Sequence, residues 1–165
     1  EQQKTLNLSE KTLDNMRRYI SVANDYMVPK VVNYLHWKAE QSKVPLSGTF
    51  ELSPVCNMNC RMCYVRMTQK EMDATGGRLR SIEEWLTLAK EAQKRGMLLL
   101  LLTGGEPFLW PDFQELYTEL KKLGLVISIN SNGTMIDEKV MTWLSEDPPS
   151  RMNITLYGAS DETYG

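Results

Sequence analysis

Cysteine is scarce in this sequence, which holds only three, and all of them lie close together at Cys56, Cys60 and Cys63. Three cysteines cannot all pair with one another, and they cannot supply the four protein ligands of a closed zinc or iron–sulfur site. Their spacing is typical of metal binding rather than of a disulfide framework, which indicates a protein of the reducing cytoplasm. One disulfide with one free thiol is the alternative. The sequence therefore predicts a metal centre with an open coordination position, where a small molecule could bind.

An excess of charge of either sign is also missing, because 19 lysines and arginines face 21 acidic residues and the net charge is −2. No basic patch stands out in the sequence, so we do not expect a nucleic-acid partner. Long apolar runs are missing as well. The longest covers residues 97–102, whereas a membrane-spanning helix needs about 20 residues. We therefore expect a cytoplasmic protein that binds neither nucleic acid nor a membrane.

Strand and helix patterns alternate along the chain from Thr49 onwards, which implies a parallel sheet built from βαβ units. Four such units are too few to close a barrel, and an apolar sheet edge would be exposed, so we expect the N-terminal part of a longer protein. Residues 1–48 are predicted to be a separate helical segment, with helices that begin near Ser9 and Pro29. The four predicted strands cover residues 49–52, 97–102, 125–130 and 152–156.

Two short motifs carry the most specific information. The Cys-x3-Cys-x2-Cys spacing resembles the cluster-binding motif of the radical S-adenosylmethionine (radical SAM) superfamily, and residues 104–107 resemble its GGEP motif. The resemblance covers residues 49–165 and implies an α/β fold, a partial (β/α) barrel of the TIM type with about four βα units. It also implies that Cys56, Cys60 and Cys63 ligate a [4Fe–4S] cluster, whose fourth iron binds the amino and carboxylate groups of S-adenosylmethionine.

The same resemblance implies a set of residues that bind S-adenosylmethionine. The GGEP segment, residues 104–107, would hold the methionyl ammonium group, for which a carboxylate is a suitable acceptor. A methionine stands where the family usually has an aromatic residue, and it would meet the adenine through its backbone. Polar residues at the last two strand ends would contact the ribose or the methionine part, although serine and asparagine beside glycine also favour ordinary turns. The implied residues are Gly104, Gly105, Glu106, Pro107, Met62, Ser131 and Thr155.

The activity implied by the resemblance is that of an oxidoreductase. One electron, taken from an external flavodoxin- or ferredoxin-like donor, cleaves S-adenosylmethionine to a 5′-deoxyadenosyl radical, which abstracts hydrogen from a substrate. Residues 131–133 and 154–165 are similar to radical SAM enzymes with a SPASM or twitch domain, which implies a peptide or protein substrate. Two alternatives remain open. They are an iron–sulfur electron-transfer module, and a zinc-stabilised binding module in which His36, the only histidine, completes the site.

Overall fold

The computed structural model describes residues 30–156. The chain divides into two compact units, Glu1–Val44 and Pro45–Gly165. In the first unit the described element is helix α1, Lys30–Ser42, which matches the helix predicted to open at Pro29. The helix predicted near Ser9 lies outside the described residues.

In the second unit, the described residues form a four-stranded parallel sheet in the order β1-β2-β3-β4. Each strand pairs with the next one along the chain, and each connection contains at least one helix. This arrangement confirms the predicted α/β architecture of successive βα units. The elements are β1 Ser47–Glu51, α2 Gln69–Ala74, α3 Ile82–Lys94, β2 Leu99–Thr103, a 3-10 helix Pro107–Leu109, α4 Phe113–Lys122, β3 Val126–Ser131, α5 Glu138–Glu146 and β4 Arg151–Ile154.

One face of the sheet supplies the core. Successive side chains of a strand point to opposite faces, and in β2 and β3 alternate residues are fully buried. These residues pack with the apolar faces of α3, α4 and α5 in one continuous cluster. Each fully buried leucine or isoleucine contributes about 1.5–3 kcal/mol relative to an exposed one. The central members of the cluster are Phe50, Leu100, Leu102, Ile127, Ile129, Trp85, Ala89, Phe113, Leu116, Leu120 and Leu144.

Within residues 30–156, two helices begin with a capping box, in which the side chains of the first residue and of the residue three positions on each accept from the other's backbone N–H. Ser81 and Glu84 form one at the start of α3. Thr68 and Glu71 form a second one at the start of α2, a helix that we did not predict. None of the helices within residues 30–156 is long and apolar enough to cross a bilayer.

Candidate functional site

The loop after β2 packs directly on the segment that leads into the cysteines. Gly105 N donates to Ser53 O at 2.7 Å, and Glu106 N donates to Val55 O at 2.9 Å. A Cβ on Gly104 or Gly105 would lie closer than 3.0 Å to the backbone of this segment. Gly104 also has a φ of +149°, which L side chains rarely adopt. Glycine is therefore required at both positions for the two loops to touch.

The cysteine loop, residues 56–66, is closed at its base by a short parallel bridge between Val55 and Met67. Cys56 N donates to Met67 O at 3.1 Å, and Met67 N donates to Pro54 O at 2.8 Å. The strand-like segment Pro54–Cys56 thus lies between the GGEP segment on one side and Met67 on the other. This double pairing fixes the entry to the loop at the carboxyl end of the sheet, the usual place for ligands in α/β folds.

All three cysteines carry free thiols, and Cys56 and Cys60 are half-buried while Cys63 is exposed. Cys63 N donates to Cys60 O at 3.1 Å, so these two residues share a tight turn. Among residues 30–156 no three His, Cys, Asp or Glu side chains are gathered as a metal site would need. The donor chemistry nevertheless fits an iron–sulfur group, because such clusters are held by thiolates, and metal binding itself can draw its ligands together.

Glu106 is fully buried, at 0% exposure, and its carboxylate contacts β3, the loop after it and the 3-10 helix. Its carboxylate accepts from Ser131 Oγ at 2.9 and 3.1 Å, from Asn132 N at 2.8 Å and from Phe108 N at 3.1 Å. We expected this carboxylate to face a ligand ammonium group. Instead it points inward, because the end of β3 brings a hydroxyl and a backbone N–H to it, and it links the carboxyl ends of β2 and β3.

Asn132 connects this buried carboxylate to the cysteines, and the sequence identified it only as a turn residue. Its Nδ2 lies 3.7 Å from Cys56 Sγ and donates to Asn57 Oδ1 at 2.9 Å. Asn57 Nδ2 in turn donates to Thr134 Oγ1 at 2.7 Å. The loop after β3 therefore contacts the cysteine loop through side chains. The position of Asn132 directly after a predicted parallel strand was the sequence signal that could have placed it near the cysteines.

The other residues predicted to bind S-adenosylmethionine differ in how deeply they are buried. Ser131 is 5% exposed and belongs to the Glu106 network, and Pro107 is buried in the 3-10 helix. Met62 is 77% exposed in the outer part of the cysteine loop. Thr155 follows β4 rather than lying within it, and its N–H donates to Ser131 O at 3.1 Å.

A polar row crosses the sheet on the face opposite the core, and sequence reasoning predicted polar groups only at the ends of its last two strands. Glu51 pairs in register with Thr103, and Asn130 pairs with Asn153 on the next strands. Asn153 Nδ2 donates to Asn130 Oδ1 at 2.8 Å. These side chains lie at or near the carboxyl ends of their strands, so this face offers amide and hydroxyl groups beside the cysteine loop.

The fold and site together define a partial α/β barrel that presents three thiols at the carboxyl end of its parallel sheet. The model of the radical SAM superfamily matches residues 50–164. The chain belongs to the radical SAM superfamily, as its two motifs predicted. Membership implies a site for S-adenosylmethionine and an iron–sulfur cluster.

Several curated proteins are similar to this chain over part of their length. A probable GTP 3′,8-cyclase of Saccharolobus solfataricus is 33% identical over 68% of this chain and 35% of its own. The subtilosin biosynthesis protein AlbA of Bacillus subtilis is 29% identical over 61% of this chain and 21% of its own. The AdoMet-dependent heme synthase of Methanosarcina barkeri is 29% identical, over 74% and 34%. The chain thus spans from about a fifth to a third of the length of these relatives.

A solved structure has the same fold. SuiB of Streptococcus suis, crystallised with the precursor peptide SuiA, matches 99% of this chain and 33% of its own with a TM-score of 0.61 and 18% identity. This likeness, together with the four-stranded parallel sheet, confirms the predicted partial barrel. The named relatives are enzymes, and the predicted enzyme class is confirmed at the level of the superfamily.

Proposed function

We propose that Cys56, Cys60 and Cys63 hold a [4Fe–4S] cluster and that the chain binds S-adenosylmethionine for reductive cleavage. When bound, the cluster supplies the single electron that cleaves S-adenosylmethionine to methionine and a hydrogen-abstracting 5′-deoxyadenosyl radical. The protein's own task is to position these groups and to exclude water. The alternatives of a plain electron-transfer module and a zinc-stabilised module fit the superfamily match less well, because neither needs the GGEP segment.

The observation that carries this proposal is the double pairing of Pro54–Cys56, which joins the cysteine loop to the GGEP segment. Gly105 and Glu106 donate backbone N–H groups to Ser53 and Val55, while Met67 closes the other side. A ligand bound at the cysteines would thus lie against the GGEP loop. The two motifs are about 40 residues apart in the sequence. They would serve one site, because ligands of α/β folds bind at the carboxyl ends of the parallel strands.

The roles proposed for single residues follow from where each one lies. The backbone of Gly104 and Gly105 packs on residues 53–55, directly before the cysteine loop, so we assign the ammonium-binding role of the GGEP segment to this backbone. Glu106 would act indirectly, by fixing the loop after β3. Ser131 and Thr155, which share the 3.1 Å contact at the ends of β3 and β4, would lie beside the methionine or ribose part. Met62 would contact the adenine through its backbone.

The proposed substrate is a peptide or protein. AlbA is named for the biosynthesis of the bacteriocin subtilosin, and the fold is that of SuiB, which was crystallised with a precursor peptide. The polar row of Glu51, Thr103, Asn130 and Asn153 offers hydrogen-bonding groups of the kind that an extended peptide backbone needs. An auxiliary SPASM cluster would need further ligands, because the sequence has no cysteine after Cys63.

The electron is proposed to come from a flavodoxin- or ferredoxin-like protein in a reducing, cytoplasmic setting. The outer part of the cysteine loop is open to such a donor, since Met62 is 77% and Tyr64 is 92% exposed. A donor that docks here would approach within a short distance of Cys63, which is also exposed.

Electron paramagnetic resonance on anaerobically reconstituted, dithionite-reduced protein tests this proposal. We expect a reduced [4Fe–4S] signal that changes when S-adenosylmethionine is added, because one iron is free to bind it. Cys60→Ala should lose the signal, whereas the matched control Met58→Leu in the same loop should keep it. A protein that contains zinc but no iron or sulfide would favour the zinc-stabilised binding module. A cluster whose signal does not change when S-adenosylmethionine is added would favour the electron-transfer module.

Cleavage of the cofactor is a second, independent measurement. High-performance liquid chromatography of the reduced sample should show 5′-deoxyadenosine and methionine in the reconstituted protein but not in Cys60→Ala. Adding candidate peptides should raise the yield of 5′-deoxyadenosine if the substrate is of this class.

A further inference from the structure

We infer that Asn132 is a positioning residue that raises the reduction potential of the cluster by donating its side-chain amide to the sulfur of Cys56. This inference rests on the proposed function, since it needs a cluster on that thiolate. It concerns a residue outside both motifs. Its basis is a set of contacts that orient one amide group toward one sulfur.

The orientation of the Asn132 amide is fixed by its neighbour. Asn132 Oδ1 accepts from Thr134 N at 2.9 Å and from Thr134 Oγ1 at 2.6 Å. A backbone N–H can only donate, so the amide oxygen must face Thr134. The amide nitrogen therefore faces the cysteine loop, where it lies 3.7 Å from Cys56 Sγ and 2.9 Å from Asn57 Oδ1. Both of its hydrogens have acceptors.

The backbone of Asn132 is held as firmly as its side chain. Its N–H donates to Glu106 Oε2 at 2.8 Å, and Glu106 is fully buried. Ser131, the preceding residue, donates to the same carboxylate and accepts from Gly133 N at 2.9 Å. The buried carboxylate thus places the asparagine, and the asparagine reaches the sulfur. These contacts use the backbone of residue 132, so they survive a change of its side chain.

A hydrogen bond to a cluster sulfur affects the two redox states unequally. Reduction adds one negative charge to the cluster, and part of it resides on the sulfur ligands. A donor at Cys56 stabilises this extra charge, which favours the reduced form and raises the potential. Removing the donor should lower it. Because the residue acts through the thiolate, its effect belongs to the electron-transfer step.

The test is an EPR-monitored redox titration of the reconstituted protein, comparing three variants with the wild type. Asn132→Ala removes the donor, and Asn132→Asp replaces it with a negative charge while keeping an oxygen for Thr134. Thr134→Val is the matched control, because it removes the hydroxyl that contacts Asn57 of the other loop, while the backbone N–H of residue 134 still holds the Asn132 amide oxygen and so keeps the N–H···S interaction. We expect Asn132→Ala to shift the ratio of reduced to oxidised cluster about tenfold at a fixed potential, which is about 59 mV for one electron. Asn132→Asp should shift it further, and Thr134→Val should leave it unchanged.

The outcomes separate this inference from the proposed function. The proposed function itself would be contradicted if the wild-type protein assembled no cluster, or if the signal of its cluster did not change when S-adenosylmethionine is added. A normal wild type with the same midpoint potential in Asn132→Ala would overturn the inference alone. Equal shifts of the midpoint potential in Asn132→Ala and Thr134→Val would also overturn the inference, since the contact between the two loops would then account for the shift. An Asn132 variant that folds but holds no cluster would do the same, because the residue would then be needed for assembly.

Discussion

Ser131 donates its hydroxyl to both carboxylate oxygens of Glu106, at 2.9 and 3.1 Å, although the two residues are 25 positions apart in the sequence. Both residues are buried. Buried polar side chains need hydrogen-bond partners, and this carboxyl group finds them at the end of the neighbouring strand. The pair ties the end of β2 to the end of β3, and the loops on both strands take their positions from it.

Glu106→Gln should destabilise the protein. One carboxylate oxygen accepts from Phe108 N and the other from Asn132 N, so an amide in either orientation would turn a donor toward one of these N–H groups. A buried donor without an acceptor costs about 1–3 kcal/mol, and we expect a loss of this size in the free energy of unfolding. Urea denaturation measures it. Glu51→Gln, at the exposed end of β1, is the control and should change little; equal losses in both variants would contradict the argument.

Gly105→Ala should separate the GGEP segment from the cysteine loop. The new Cβ would lie closer than 3.0 Å to the backbone of Pro54 and Val55, so the two chains must move apart. Overpacking of this kind costs about 1–3 kcal/mol. We expect iron and sulfide content after reconstitution to fall together with stability.

Gly124→Ala is the matched control for this substitution. Gly124 has a φ of +79° and no atom within 4 Å of the added Cβ, so alanine there meets only backbone strain, about 1–2 kcal/mol. Its stability should fall while its iron content stays at the wild-type level. An iron content that falls equally in both variants would show that general destabilisation, not loop separation, releases the cluster.

Acid should weaken the fold partly through Glu84. The hydrogen bonds from Arg78, at 2.6 and 2.7 Å, and then the Ser81 backbone N–H lower the pKa of Glu84 to about 2. A carboxyl with a depressed pKa in the folded state contributes stability above its unfolded pKa, and this contribution is lost as pH falls toward the folded value. Stability attributable to Glu84 should therefore decline between about pH 5 and pH 2. Thermal melts of the wild type and Glu84→Gln across this range measure it, and identical acid slopes would refute the assignment.

Alkaline pH should destabilise the fold through Tyr117. Burial, and then the negative charge of Asp147, raise the pKa of this phenol to about 12. The unfolded chain loses the proton near its ordinary value of 10.0, so stability is complete below that pH and declines as pH rises toward 12. Tyr117→Phe should flatten this decline, which chemical denaturation at pH 9 to 12 would detect.

At neutral pH the same substitution should cost about 1 kcal/mol, since the hydroxyl donates to Asp147 O at 2.8 Å. Tyr34→Phe, at an exposed tyrosine of α1, serves as the control for both measurements. An alkaline decline of the same steepness in Tyr117→Phe and Tyr34→Phe would rule out the role of the buried phenol.

The sequence predicted the elements of the second unit well where their signals are local. The capping box of Ser81 and Glu84 lies within one helical turn, so the sequence alone indicates the start of α3. The equivalent pattern at Thr68 and Glu71 starts α2 and could have been read in the same way. The strands begin and end at residues other than the predicted ones, because backbone hydrogen bonding sets their limits. Met97, predicted to start β2, donates instead to Ala92 O at the end of α3.

The interior of the site could not be predicted, because its contacts join distant parts of the chain. Glu106 is an acid in a glycine-rich turn, and nothing near it in sequence shows that Ser131 and Asn132 will bury it. The contact of Asn132 with Cys56 spans 76 positions. What the sequence does indicate is which strand ends meet at one edge of the sheet, so it predicts the neighbourhood of the site but not the hydrogen bonds within it.

The bridge between Val55 and Met67 bears on how the protein acquires iron. A loop whose ends are already paired has lost much of the conformational freedom that its three thiols would otherwise give up on binding. Tethered ligands of this kind meet a metal as if they were present at a high local concentration. In the proposed site, the first cysteine sulfur to bind iron would therefore have the other two sulfurs close by. Acquisition of the metal should then be governed by rearrangement inside one short loop, with the rest of the sheet already in place.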